Sequence, residues 1–141
     1  MIRLIFVGRT REKFLSSGIS EFAKRLERFG NFRLVEIKDS NSEEEGGRIL
    51  KMLDDDYAVI LSVDGKEFSS EEFADFIKEN IDRDISFVVG SESGLSKGVL
   101  KRADLRLSLS KMTLTHEMAR LFLIEQIYRA FTIIRGMKYH K

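Results

Sequence analysis

The sequence of 141 residues has no cysteine and only two histidines, His116 and His140. Without thiols the chain can form no disulfide, no thiolate metal site and no cysteine nucleophile. Two imidazoles are too few for a histidine-rich metal centre, so the sequence predicts a protein without a metal site.

Proline and long apolar runs are missing as well. Turns must therefore rely on glycine, serine, asparagine and aspartate. No apolar run approaches the roughly 18 residues of a membrane-spanning helix, and the first residues, MIRLIFVGRTREK, lack the apolar segment and cleavage site of a signal peptide. We therefore expect a cytoplasmic protein that does not enter a membrane. Its length and its hydrophobic share of 43% fit one folded domain over residues 1–141.

Acidic charge is scarce in the last third of the chain. Residues 1–94 contain 14 Lys and Arg against 20 Asp and Glu, whereas residues 95–141 contain 10 against 3. A basic C-terminal third is favourable for binding an RNA phosphate backbone. The alternative is a surface whose charges cancel once the chain folds.

Short apolar runs alternate with segments of helical periodicity. Strands are predicted at residues 2–7, 32–37, 57–63, 85–89 and 104–110, with a turn at 64–65 after the third. Helices are predicted at about 11–28 and at about 115–134. Another helix ends at about residue 53, one begins at 69 or 70, and a short one begins near 96. This alternation predicts an α/β fold with a largely parallel sheet. Ligands of such sheets bind beyond the carboxyl ends of the strands, here at 61–65, 90–95 and 109–114.

The last predicted helix is apolar around almost its whole circumference. Leu123, Ile127 and Phe131 lie on one face, whereas Phe122 and Tyr128 lie elsewhere. A helix of this kind is buried on more than one side. In a small domain the second cover is expected to be another subunit, which predicts a twofold dimer. The alternative is a central core helix.

Three segments are candidates for chemistry, and each also has a plain structural interpretation. The loop 90–94 (GSESG) lets a ligand approach the backbone, or is an ordinary turn. Residues 109–114 (LSKMTL) offer amides and hydroxyls to a nucleoside, or merely connect a strand to a helix. The terminal residues 139–141 (YHK) combine an aromatic ring, an imidazole and a cation, a set suited to RNA, or form a frayed end.

Taken together, these segments resemble one family from end to end. The run 107–114 (LSLSKMTL), His116, the segment 123–131 (LIEQIYRAF) and the terminal Tyr-His-Lys are similar to the C-terminal half of the RlmH family of ribosomal large-subunit RNA methyltransferases. The loop 90–96 (GSESGLS) and the segment 61–66 match it too. The family usually has two glycines where this chain has Gly90-Ser91, and proline where it has Thr115.

The resemblance implies a knotted, SPOUT-type α/β fold: a largely parallel five-stranded sheet with helices on both faces and a C-terminal trefoil knot. It implies a homodimer that uses S-adenosylmethionine as methyl donor. The implied target is ring nitrogen N3 of a pseudouridine in 23S ribosomal RNA, methylated on the assembled ribosome rather than on bare RNA.

The resemblance also assigns residues to the two sides of the site. The implied cofactor residues are Leu61, Gly90, Leu109, Ser110, Lys111, Met112, Thr113 and Leu114. The implied substrate-side residues are His116, Arg120, Arg129, Tyr139 and His140.

The imide nitrogen of pseudouridine reacts only after losing its proton, so a base and a nearby cation are expected to help. We predict His140 or His116 as the base and Arg129 as the electrostatic support, with the tail of one subunit completing the site of the other. An ion pair with Glu125, four residues earlier, is the structural alternative for Arg129. A different function, also compatible with the basic C-terminal third, is a non-catalytic RNA- or nucleotide-binding assembly factor.

Overall fold

The computed structural model describes residues 1–140 and contains a single five-stranded sheet. The strands are β1 (Ile2–Val7), β2 (Phe32–Ile37), β3 (Tyr57–Glu67), β4 (Ile85–Val89) and β5 (Leu105–Ser108). The helices are α1 (Lys13–Glu27), α2 (Ser42–Leu53), α3 (Ser70–Glu79), α4 (Lys97–Arg102) and α5 (His116–Ile134). Every strand pair is parallel, and the order across the sheet is β2-β1-β4-β3-β5. The predicted α/β architecture is therefore confirmed.

Helices cover both faces of the sheet, as the resemblance implied. On one face α1, α3 and α5 pack over alternate strand residues such as Leu4 and Phe87. On the other face α2 and α4 pack over the intervening residues, such as Ile5 and Val88. Because both faces are buried, the central strands are apolar at nearly every position.

Most of the apolar circumference of α5 is covered within the protomer. Leu123, Ile124 and Ile127 are fully buried beneath α1 and α3. The aromatic residues Tyr128 and Phe131 are partly buried against the same core. Only Phe122 is an exposed large apolar residue on this helix, with 44% of its surface accessible. The core-helix alternative thus accounts for more of the pattern than the expectation of a second subunit, and the homodimer stays a prediction.

Strand β3 is longer than the sequence predicted. The predicted turn at Asp64-Gly65 was wrong, because the strand continues to Glu67 through a bulge between Leu61 and Lys66. Gly65 makes this possible, since a Cβ atom there would lie 2.7 Å from the carbonyl carbon and oxygen of Arg106. A bulged edge pairing is a long-range feature that local turn propensity does not reveal.

The trefoil knot is not among the features that these strand pairings test, and it stays a prediction of the resemblance. Within residues 1–140, no helix has the length and hydropathy needed to span a bilayer.

Candidate active site at the carboxyl edge of the sheet

A cleft of about 540 Å³ opens at the ends of β4 and β5 and beside the bulge of β3. Its volume lies in the range typical of small-molecule sites. Apolar side chains from these strands, from the loops after β4 and β5 and from α4 form much of its wall, namely Leu61, Val63, Val89, Leu95, Leu100, Leu107, Leu109, Met112 and Leu114. Small and polar residues complete it, including Ser62, Gly90, Ser91, Glu92, Ser108, Ser110, Thr115 and His116. The cleft therefore combines an apolar surface with backbone and hydroxyl groups.

The glycine loop forms one wall of the cleft. A Cβ atom on Gly90 would lie 2.8 Å from Cγ of Leu95, so any larger residue would push this loop into the cleft or away from it. Gly94 has φ +85° and its amide donates to Ser91 O over 3.0 Å, which closes the loop as a tight turn. The loop therefore needs glycine at position 90 for space and at position 94 for conformation.

The segment between β5 and α5 forms the opposite wall. The Ser108 hydroxyl donates to Ser110 O at 3.1 Å, and the Met112 amide donates to the Ser110 hydroxyl at 3.0 Å. Thr115 caps α5, because its hydroxyl accepts from the Met118 amide at 3.1 Å. Threonine thus fixes the junction where the family usually has proline.

Six of the eight predicted cofactor residues line the cleft: Leu61, Gly90, Leu109, Ser110, Met112 and Leu114. Lys111 and Thr113 belong to the same loop but are exposed and do not line it. Sequence analysis missed several lining residues, such as Ser62, Glu92 and Ser108. Ser62 hydrogen-bonds Asp64, and this bond is the main cause that lowers the pKa of the Asp64 carboxyl.

His116, at the first position of α5, is the one predicted substrate-side residue that lines the cleft. Its Nε2 lies 3.8 Å from Oε2 of the neighbouring Glu117. Oε1 of Glu117 accepts from the backbone amides of Arg11 and Glu12, each at 3.0 Å. Burial raises the pKa of Glu117, but the two amides and the Arg120 and His116 charges outweigh it, so the pKa lies below its ordinary value.

Arg120 is fully buried rather than open to a substrate. Its guanidinium donates to Val7 O at 2.6 Å and to the Thr10 hydroxyl at 2.9 Å, and it stacks over the Phe6 ring. Glu36 lies 3.9 Å away. Burial lowers the pKa of Arg120, while the nearby carboxylates work in the opposite direction. Within the protomer, this residue fastens the end of β1 to α5.

The other predicted substrate-side residues form a second cluster near the end of α5. Arg129 pairs with Glu125 at 2.6 Å, as their spacing predicted, and its guanidinium stacks over the Tyr139 ring. The Tyr139 hydroxyl donates to the same Glu125 oxygen at 2.7 Å. Burial and this bond raise the pKa of Tyr139 to about 12, so the phenol is protonated at neutral pH.

His140 is held in the same cluster by both ring nitrogens. Nδ1 lies 3.3 Å from Nη1 of the Arg129 guanidinium, and Nε2 lies 2.8 Å from Oε1 of Glu71. Arg129 can only donate, so the pattern assigns an Nδ1 acceptor and an Nε2–H donor. This is the neutral tautomer, whose Nδ1 lone pair is already occupied.

The cleft and the tail cluster (Glu71, Glu125, Arg129, Tyr139 and His140) are separate within one protomer. Ala119 lines the cleft and Arg129 lies ten positions further along α5, about 15 Å at the helical rise. The structure thus brings six of the predicted cofactor residues together with His116, and gathers Arg129, Tyr139 and His140 elsewhere.

Comparison with known proteins identifies the class. A family model described as "Predicted SPOUT methyltransferase" matches residues 1–140. The chain therefore belongs to the SPOUT methyltransferase family.

Within that class, the chain is similar to proteins named Ribosomal RNA large subunit methyltransferase H. The identity is 46% with the protein of Limosilactobacillus fermentum and 41% with that of Streptococcus pneumoniae, in each case over 99% of both chains. The resemblance drawn from the sequence is confirmed by these relatives.

Solved structures share the fold at low identity. A probable methylase family protein from Haemophilus influenzae matches with a TM-score of 0.64 and 18% identity, over 99% of this chain and 70% of that one. The SpoU methyltransferase AviRb from Streptomyces viridochromogenes, in complex with AdoMet, matches with a TM-score of 0.52 and 12% identity, over 96% and 61%. These likenesses support the fold.

Proposed function

We propose that this protein transfers a methyl group from S-adenosylmethionine to N3 of a pseudouridine in 23S ribosomal RNA of the assembled ribosome. The observation that carries the proposal is the cleft at the carboxyl edge, built by Leu61, Gly90 and the 109–114 loop with His116 beside them, in a chain of the SPOUT methyltransferase family. The relatives named Ribosomal RNA large subunit methyltransferase H support the RNA target.

The residues of the cleft fit S-adenosylmethionine. The leucine-rich walls suit the flat faces of an adenine, and the Ser110 hydroxyl and loop amides suit its polar edge and ribose. The glycine at position 90 keeps space that a Cβ atom would fill. When bound there, S-adenosylmethionine supplies an electrophilic methyl group, and the task of the protein is to hold the nucleophile in line with it.

On the substrate side, two histidines compete for the role of base. His116 lines the cleft of its own protomer, and among residues 1–140 the polar contact of its ring is the 3.8 Å approach to Glu117. His140 lies in the tail cluster, where its ring nitrogens contact Arg129 and Glu71 rather than the cleft. We assign the removal of the imide proton to one of these two, and the stabilisation of the resulting anion to Arg129.

A homodimer would bring the two clusters together. Phe122, the exposed apolar residue of α5, lies between the cleft end and the tail end of that helix. If two copies of α5 cross in opposite directions at Phe122, the tail cluster of each protomer reaches the cleft of its partner. In such a twofold dimer, the Phe122 ring of one protomer would pack against the same ring of its partner, and each tail would reach the opposite cleft.

Methyl transfer from radiolabelled S-adenosylmethionine tests the function directly. We expect label on the large-subunit RNA of intact ribosomes that lack this modification, and little or none on the same RNA free in solution. Absence of label from both substrates, with a protein that binds the cofactor, would reject the proposed activity.

A non-catalytic RNA-binding role is the second candidate, favoured only by the basic C-terminal third. Calorimetric titration with S-adenosylmethionine separates the two. Heat of binding supports the enzyme, whereas no binding together with ribosome association supports the assembly factor.

A further inference from the structure

The loop between β1 and α1 presents a compact group of cations at the carboxyl edge of the sheet. This basic loop, residues 8–13 (GRTREK), contains Arg9, Arg11 and Lys13 within five positions, and Glu12 is its only acidic residue. All three cationic residues are exposed. Nothing in the proposed cofactor site uses them.

Buried side chains of α5 hold the backbone of the basic loop in place. Arg120 binds Val7 O before the loop and the Thr10 hydroxyl within it. Glu117 accepts from the amides of Arg11 and Glu12. Since these anchors act on the backbone and on Thr10, the side chains of Arg9 and Arg11 are not needed to keep the loop folded.

The cationic side chains of the basic loop take part in no ion pair among the described residues. Across residues 1–140, no salt bridge involves Arg9, Arg11 or Lys13, whereas Arg25 and Arg102 each pair with a carboxylate. Carboxylates do lie beside the loop: Glu36 and Glu117 accept from its amides, and Asp39 lies next to Gly8. None of them forms a salt bridge with a loop cation, so the three cationic side chains stay exposed and unpaired among the described residues.

This surface lies next to the proposed methylation site. His116 lines the cleft, and the next residue of the chain, Glu117, binds the basic loop. The first turn of α5 therefore separates the cleft from the loop. Lys111, exposed in the 109–114 loop, adds a further cation at the same edge.

We propose that the basic loop is a phosphate-docking surface that positions the RNA strand carrying the target nucleotide. This inference rests on the proposed function. A base can enter the cleft only if the phosphates on either side of it pass over the adjoining surface, and phosphate contacts fix the register of a nucleic acid. Two guanidiniums on a pre-ordered loop suit phosphate oxygens because they donate in pairs and lose little freedom on binding.

The test compares two triple variants by their association with ribosomes. In one, Arg9, Arg11 and Lys13 are changed to alanine. In the matched control, Lys24, Lys51 and Lys78 are changed to alanine; these are exposed cations in the last turns of α1, α2 and α3, at the opposite edge of the sheet. Co-sedimentation with ribosomes is measured over a series of KCl concentrations, alongside calorimetry with S-adenosylmethionine and methyl transfer.

We expect the loop variant to bind ribosomes at least about 10-fold more weakly, with the slope of log affinity against log salt reduced by about 2 to 3. Its cofactor affinity and thermal midpoint should equal those of the wild type, and Arg9→Lys with Arg11→Lys should restore most of the binding. Unchanged ribosome affinity and salt slope, or an equal loss in the control variant, overturns the inference.

The two proposals fail separately. If the wild-type protein binds ribosomes through the loop but transfers no methyl group, phosphate docking by the loop is upheld, whereas the proposed activity and the positioning of a target nucleotide fall. If the loop variant methylates ribosomes with wild-type affinity, the activity stands and the docking surface falls.

Discussion

At the scale of single residues, the most constrained charges are Glu117 and Arg120 on α5. Both are buried, and their partners are backbone groups of residues 7–12, more than 100 positions earlier in the chain. The family resemblance places Arg120 on the substrate side, whereas its burial and its contacts within the protomer are those of a structural residue.

Glu117 should make stability depend on acidic pH. Its folded-state pKa lies below the ordinary value of 4.5, so its contribution is present above that pH and is lost as the pH falls through the folded-state pKa. Glu117→Gln keeps an acceptor but removes the charge, and should lower the free energy of unfolding by about 1 kcal/mol at neutral pH. Urea unfolding at fixed protein concentration measures both effects. A variant as acid-sensitive as the wild type would contradict the assignment.

Arg120→Met tests the other buried charge. The substitution fills similar space but leaves Val7 O and the Thr10 hydroxyl without their donor, and leaves Glu117 without its buried counter-charge. We expect a loss of about 3 kcal/mol in the free energy of unfolding. Arg28→Met, at an exposed position at the end of α1, is the control and should change stability little. Equal losses in the two variants would show that the contacts of Arg120 with Val7 and Thr10 contribute nothing to stability.

At the scale of elements, every predicted helix and strand is present, and most bounds agree within a few residues. The agreement follows from local causes. Apolar periodicity and capping residues act over one or two turns, as in Ser69, whose hydroxyl and Glu72 partner form a capping box. The clear exception is β3, whose last residues pair with β5 through a bulge.

The bulge gives a prediction that uses two glycines. Gly65→Ala should weaken the β3–β5 edge and distort the Leu107–Leu109 wall of the cleft, because the added Cβ would meet the Arg106 backbone at 2.7 Å. We expect a loss of about 1 to 3 kcal/mol in stability and weaker binding of S-adenosylmethionine. Gly47→Ala, on α2 with open space around it, should instead stabilise by about 0.5 to 1 kcal/mol. Thermal unfolding and calorimetry with S-adenosylmethionine are measured for both variants. Unaltered cofactor binding by Gly65→Ala would show that the bulge does not shape the cleft.

At the scale of the whole molecule, the separation of the cleft from the tail cluster predicts that each active site uses two subunits. Deleting residues 139–141 should spare folding and cofactor binding but abolish methyl transfer. Gly90→Val should block the cleft, since a Cβ there already meets Leu95 at 2.8 Å, while leaving the tail intact.

Mixing these two inactive variants decides the arrangement. A mixed dimer then has one intact cleft facing one intact tail, so activity should return to about a quarter of the wild-type rate if subunits assort at random. If each tail served its own cleft, no mixture would be active. Full activity of the tail-deleted protein alone would remove the tail from the mechanism altogether.

The same mixtures separate the two histidines. In trans, His140→Asn behaves like the tail deletion and is rescued by Gly90→Val. His116→Asn behaves like Gly90→Val, so it is rescued by the tail deletion but not by Gly90→Val. Whichever substitution abolishes transfer while preserving cofactor affinity identifies the base.

Within this chain, the sequence alone determined the succession of strands and helices, the parallel α/β architecture and the loops that carry the site, because each depends on contiguous residues with a fixed period. The family resemblance added eight predicted cofactor residues, six of which line the cleft. Only the tertiary structure decided that Arg120 is buried, that Glu117 holds the basic loop, and that His140 lies apart from His116. Those outcomes depend on the strand order and on which residues of distant segments meet, and no local pattern of side chains encodes them.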